Sequence, residues 1–361
     1  MKITNERQKI LALARRANAS DIHIVAGLPP LFRINGEIIL SDSAPLNPDD
    51  TKRMCYSLLN EEQTKVFEDE WQICCSVFEE KFGRFRVSIY YQGHNPEMAL
   101  RPVMDQIRTR KELSLPEELE DLTRLSGGLV LITGPTGSGK TTTLNYMIDL
   151  INSERRCKII TVEDPVEYIH SQKKAIIVQQ ELYTDVKTFG SALIHVLRQD
   201  PDVICVGEMR DMDTTATALT AAETGHLVIA TCHTPNTFQT IERIVSIFPD
   251  TQQSQVVTQL ANCLKGILAQ RLIPTADKKS RALATEFLLV EAPAQRHIRE
   301  QEFHQLVSVI QTGRKKGMHT MDDSLYDLYQ AGEISYESAI NNSSRSSHMR
   351  ERIFNDPHEM Q

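Results

Sequence analysis

No two of the seven cysteines, Cys55, Cys74, Cys75, Cys157, Cys205, Cys232 and Cys263, stand in a C-x-x-C pair. Without that spacing neither a zinc knuckle nor a disulfide framework is expected, and the thiols read as small buried hydrophobes. Long apolar runs are missing too. No stretch approaches a membrane span, and Met1-Lys2-Ile3-Thr4-Asn5-Glu6-Arg7 lacks the apolar centre of a secretory signal, so a cytoplasmic location is expected. Positive charge is in short supply: 40 Lys and Arg face 48 Asp and Glu, a balance of -8. A dedicated nucleic-acid binder is usually basic, and no basic stripe here has aromatics interleaved, which excludes nucleic acid as the expected partner.

What is present is ordinary in bulk and specific in one place. A chain of 361 residues with 40% hydrophobic content has room for two or three domains with real cores. The specific stretch is Gly134-Pro135-Thr136-Gly137-Ser138-Gly139-Lys140-Thr141, which fits G-x-x-x-x-G-K-[ST] at every fixed position. The apolar run Gly128–Thr133 precedes it and Thr142-Thr143-Leu144-Asn145 follows, the strand, loop and helix order of a phosphate-binding loop. Its glycines let successive N–H groups turn inward toward phosphate oxygens. Lys140 is placed to reach the β and γ phosphates, and the hydroxyl of Thr141 can hold Mg2+. The helix N-terminus beginning near Thr142 adds its dipole. ATP and Mg2+ are the expected ligands.

Taken in order, residues 6 to 18 predict an amphipathic helix and residues 20 to 24 a strand. Asp21 and His23 there read as a structural pair. Two apolar runs flank Asn35-Gly36, a strong hairpin signal. Residues 48 to 71 read as helical, and a second hairpin turns near Gly83. The charged, proline-broken run Arg108–Pro116 suits an interdomain linker. Beyond it, buried strands at 159–162, 176–178, 203–206 and 227–231 alternate with helices at 188–198, 212–224 and 237–247, the pattern of a doubly wound parallel sheet. Past Thr251 the chain reads as mainly helical, with one more strand over 281–290. The divisions are residues 1–107, a linker over 108–118, an ATPase core over 119–290, a helical region over 291–340 and a polar tail over 341–361 that should fray.

Polar residues cluster where the predicted strands end: Glu163 after 159–162, Glu208 after 203–206, and Cys232-His233-Thr234 after 227–231. In an open α/β sheet ligands sit at those carboxyl ends. A carboxylate there can orient attacking water and a histidine can contact the γ-phosphate.

These residues carry a resemblance. The phosphate loop, the run Ile160–Tyr168 around Glu163-Asp164-Pro165, the run Arg198–Asp211 around Gly207-Glu208, and the run Thr220–Thr234 around His226 and His233 are similar to the secretion-type ATPases. Within them the match is to the PilT group of type IV pilus retraction motors. Gly27-Leu28-Pro29-Pro30 and Ile310-Gln311-Thr312-Gly313 extend it to both ends. The resemblance implies a PAS-like N-terminal α/β domain and a RecA-like domain with a mainly parallel sheet, assembled as a homohexamer on an inner-membrane platform protein, peripheral to the membrane. A paralogous retraction ATPase is a further possible partner. It implies that Glu208 is the catalytic carboxylate, that Glu163 helps place water and Mg2+, and that His233, with His226 nearby, reads the γ-phosphate. It also implies nucleotide contacts from N-terminal arginines, by position Arg84, Arg86 and Arg101. Two departures stand out: Cys232 where leucine is commoner, and Ala294–Glu300, which keeps only the second half of the retraction motors' Ala-Ile-Arg-Asn-Leu-Ile-Arg-Glu run. An accessory paralogue, a secretion-system ATPase and a nucleotide-binding regulator with little turnover remain as alternatives.

Overall fold

The computed structural model describes residues 2–17, 19–34, 37–103 and 107–355. By Cα proximity the chain divides into two compact units. The first comprises Met1–Ile107 together with Val162–His170 and Gln179–Ala192; the second comprises Arg108–Thr161, Ser171–Val178 and Leu193–Gln361.

The first unit is built on an antiparallel sheet of six strands: β1 (Asp21–Ile24), β2 (Leu31–Ile34), β3 (Glu37–Leu40), β4 (Gln72–Glu79), β5 (Gly83–Gln92) and β6 (Asn95–Pro102). Their order is β3-β2-β1-β6-β5-β4. Strands β2 and β3 pair from Ile34 with Glu37, while Asn35-Gly36 lies outside the described residues. Alternation sets the faces. On β5, Phe85, Val87 and Ile89 point into the core with Ile22, Phe67 and Met98, while Arg84, Arg86 and Ser88 stay half-buried on the other face. Asp21 bonds Ser20 and Arg101, not His23 as the sequence suggested.

One predicted helix proves to be two, Pro48–Tyr56 and Glu61–Glu70. Asn60 breaks the run: its side chain accepts from the N–H of Gln63, whose own side chain accepts from the N–H of Asn60. That reciprocal cap starts a fresh helix, as Asn47 and Asp50 start the first. Strand β6 has no counterpart in the sequence-based reading.

The larger sheet contains β7 (Gly128–Thr133), β8 (Lys158–Glu163), β9 (Ile176–Glu181), β10 (Val203–Val206), β11 (Leu227–Cys232), β12 (Leu264–Pro274) and β13 (Arg281–Leu289), in the order β13-β12-β7-β11-β10-β8-β9. Strand β7 pairs in parallel with β11 and β12, and β10 in parallel with β11; β13 closes the edge antiparallel to β12. Every residue of β7, β10 and β11 is buried, as strands covered on both faces must be. Strand β12 corrects the expectation that the chain past Thr251 is helical apart from 281–290. The helix Asp250–Cys263 passes into it at Leu264 with no glycine or proline between, so the sequence offers no boundary.

The expectation of a frayed tail is also overturned as far as residue 355. Ser346–Phe354 is a helix whose Met349 and Ile353, four apart, are buried against Met321, Leu325 and Ile340. Arg352 on the same helix bonds Asp323 at 2.9 Å and lies 3.9 Å from the centre of the Tyr326 ring. The polar run Asn341–Ser347 hid two well-spaced apolar anchors behind it. No helix among the described residues is long and apolar enough to cross a membrane.

Candidate active site

The phosphate loop joins β7 to the helix Lys140–Glu154. Gly134 has φ 147°, and a Cβ there would meet the carbonyl oxygen of Gln270 at 2.3 Å and Ser138 Oγ at 2.6 Å. No other residue fits. Gly139, with φ 92°, starts the helix without a side-chain cap, leaving its first N–H groups directed at the loop. Pro135, Thr136 and Gly137 are exposed at the rim, while Thr141 and Thr142 are half-buried on the first helical turn.

Lys140 is buried, and its Nζ donates to the carbonyls of Gly134 at 2.8 Å and Pro135 at 3.1 Å, folded over the loop it serves. Burial lowers its pKa from the usual lysine range, with the carboxylate of Glu208 pulling the other way. Ser138 Oγ is buried in the loop interior with no hydrogen-bond partner among the described residues. An orphaned hydroxyl beside a lysine and a helix N-terminus is what a phosphate oxygen would satisfy.

Glu208 follows β10 and His233 follows β11, so the parallel pairing of these strands brings the two together: Glu208 Oε1 lies 3.1 Å from His233 Nε2. Arg210 Nε reaches the same oxygen at 2.5 Å. Burial would raise the Glu208 pKa, but the Arg210 hydrogen bond and the His233 charge outweigh it and hold the carboxyl below its ordinary value. Glu208 is therefore ionised at neutral pH. Cys232, one residue before His233, is buried and its thiol is pushed up to about 12 by that burial, with Glu208 adding to it. It is a core residue and no nucleophile.

His226 is a correction. It precedes β11, whose first residue Leu227 pairs with Gly128 at the start of β7, whereas Cys232 at the other end pairs with Thr133 beside the loop. The strand separates His226 from His233 by roughly 20 Å at ~3.3 Å per residue. Its Nδ1 lies 3.0 Å from the carbonyl of Ala221 and 3.2 Å from Thr224 Oγ1, a helix-end contact. It does not stand near His233 in the subunit.

Glu163 ends β8, buried, and its Oε1 accepts from Gln179 Nε2 at 3.2 Å. The same amide donates to the carbonyl of Tyr168 at 2.7 Å, and Leu182 N donates to the Glu163 carbonyl at 3.0 Å. Gln179 and Arg210, which hold the two carboxylates, were not picked out from the sequence; neither sits in a pattern that announces its partner.

The three arginines share one face of the six-stranded sheet, Arg86 standing opposite Arg101 and two residues from Arg84. Each meets a carboxylate. Arg84 bonds Ser76 and lies 3.7 Å from Glu181, Arg86 is 3.1 Å from Glu167, and Arg101 is 2.7 Å from Asp21.

Comparison with known proteins agrees with this geometry. Residues 77–355 match the family described as type II/IV secretion system protein. The type IV pilus ATPase PilU of Pseudomonas aeruginosa is 39% identical over 345 residues, 96% of this chain and 90% of PilU. The type IV pilus retraction ATPase PilT of the same organism is also 39% identical, over 92% of this chain and 96% of PilT. A crystal structure of the pilus retraction motor PilT with bound ADP superposes with a TM-score of 0.87 at 43% identity, covering 95% of this chain and 98% of that one. The chain belongs to the type II/IV secretion system ATPases, as a P-loop ATPase of the PilT and PilU group.

Proposed function

We propose that this ATPase is the motor that retracts a type IV pilus, a ring of six subunits working on an inner-membrane platform protein from the cytoplasmic side. The observation that carries the reading is the meeting of Lys140, Glu208 and His233 at the carboxyl ends of β7, β10 and β11, in a chain similar along its length to a retraction motor. ATP would lie with its phosphates in the loop. The water oxygen attacks the γ-phosphorus, the bond to the bridging oxygen breaks, and ADP and phosphate leave. Glu208, ionised with a depressed pKa, is better suited to orienting that water than to keeping its proton. His233, half-exposed beside it, contacts the γ-phosphate. The Thr141 hydroxyl would offer an oxygen donor of the kind that suits Mg2+, with Glu163 the proposed contributor through water, and the ion would neutralise charge on the phosphates.

Charge developing on the γ-phosphate needs more cations than Lys140 supplies. Arg84, Arg86 and Arg101 are the proposed source, exchanging a carboxylate for phosphate in the assembled ring. A second reading, an accessory paralogue, is favoured by the equal identity to PilU and by the departures in Ala294–Glu300. Deleting the gene tests both. Hyperpiliated cells that do not twitch support the retraction motor, twitching lost only under load supports the accessory role, and bald cells contradict both.

A further inference from the structure

Thr133 is the last residue of β7 and stands immediately before Gly134, wholly buried. Its hydroxyl does not serve its own strand. Oγ1 lies 2.6 Å from the carbonyl oxygen of Thr234, 2.6 Å from Thr234 Oγ1, and accepts from Thr234 N at 3.1 Å. One side chain thus grips the backbone N–H, the backbone carbonyl and the hydroxyl of one residue 101 positions away. A third hydroxyl joins from behind: Thr240 Oγ1, fully buried on the helix Thr237–Ser246, lies 2.7 Å from Thr234 Oγ1. A single arrangement of protons serves all three. Thr240 donates to the carbonyl of Asn236 at 2.7 Å, Thr234 donates to Thr240, and Thr133 donates to Thr234, its proton facing both the carbonyl and the hydroxyl oxygen.

The residue gripped is the neighbour of His233. The imidazole itself is 39% exposed and meets Glu208; it makes no other hydrogen bond or ion pair among the described residues. Its position is therefore set by the backbone at 232–234, held by β11 on one side and by the Thr133 clasp on the other. Thr133 also belongs to the strand that ends in the phosphate loop, so the clasp ties the histidine to the loop across β7 and β11.

We infer that Thr133 is a positioning residue for hydrolysis: its hydroxyl fixes Thr234, and through it His233, in register with the phosphate loop. A displacement of about 1 Å at a group that must meet the transition state can cost on the order of 100-fold in rate. The inference rests on the reading of His233 as the γ-phosphate contact.

The test is steady-state ATPase on the full chain, with ADP affinity from a fluorescent ADP analogue. Thr133→Val keeps the shape and removes the hydroxyl; Thr133→Ser keeps the hydroxyl and removes a methyl. Thr133→Val should lower kcat by about 10-fold or more while KM for ATP and the ADP Kd stay within about threefold. Thr133→Ser should recover most of the rate. In a His233→Ala background, Thr133→Val should cost nothing further, because it acts through a ring no longer present. Equal impairment of Val and Ser variants, or full multiplication of the two effects in the double variant, overturns the inference by reducing Thr133 to packing. If thermal melting shows Thr133→Val unfolded, Thr133→Ala against Thr133→Ser decides, and equal rates overturn the inference. A wild-type rate in His233→Ala overturns the reading of His233 and the inference with it. A depressed rate there, with a wild-type rate in Thr133→Val, overturns the inference alone.

Discussion

Strand β11 begins after one histidine and ends before another, and the two could hardly differ more. His226, at the amino end, is spent on the carbonyl of Ala221 and the hydroxyl of Thr224. His233, at the carboxyl end, stands half-exposed against an ionised Glu208, one strand away from the phosphate loop. Both lie in the same run of sequence, Thr220–Thr234, and residue type does not separate them. Strand direction does. In a parallel sheet all the loops at the carboxyl ends gather on one side, and that is where the ligand goes.

The contrast is sharpened by variants at the two ends. The largest effect belongs to Lys140→Ala, which removes the one cation of the loop and should take ATP turnover below detection and weaken ATP binding. Undiminished turnover in that variant would place the chemistry elsewhere. Arg101→Ala comes next, with Arg84→Ala and Arg86→Ala behind it. Each should depress hydrolysis more than nucleotide binding, and in the unaltered protein turnover per subunit should climb with concentration as the ring forms. Rate against concentration, paired with mass by light scattering, measures this; a fully active monomer contradicts it. Arg86 is the cleanest of the three, since its partner Glu167 is the most exposed of the three carboxylates, whereas the loss of Arg101 leaves the buried Asp21 without that partner. Arg84 is less clean because it neighbours the buried Glu181, which also holds Ser76 N and Val166 N. The smallest effect belongs to His226→Ala. Within the subunit it touches nothing at the loop, so kcat for ATP should stay within about twofold, the range expected of a surface helix-end contact. A loss as large as that of His233→Ala would erase the difference between the ends.

How much of this was legible in the sequence follows from the same physics. Strands β7, β10 and β11 are buried on both faces and therefore read as unbroken apolar runs, with the polar ends that carry Lys140, Glu208 and His233 plain to see. Strand β12 shares that burial but follows a helix without a break at Leu264, and so passed for more helix. The split at Asn60 depended on one asparagine side chain reaching Gln63 N. In the site, motif membership picked out the groups proposed to meet ATP and missed those that hold them. Gln179 lies 16 residues from the Glu163 it bonds and Thr133 lies 101 from Thr234. Such pairings are made by the fold, and no local pattern encodes them. The same blindness placed His226 beside His233.

The central claim is that hydrolysis is carried at the carboxyl end of this sheet by Glu208. The most direct measurement is ATP turnover and ATP binding in Glu208→Gln, a change that keeps the shape and removes the charge between Arg210 and His233. Turnover should fall by about 100-fold or more, the scale of losing a carboxylate that orients water or takes its proton, with ATP affinity retained. Turnover at the wild-type rate would make Glu208 a structural partner of Arg210 and contradict the account.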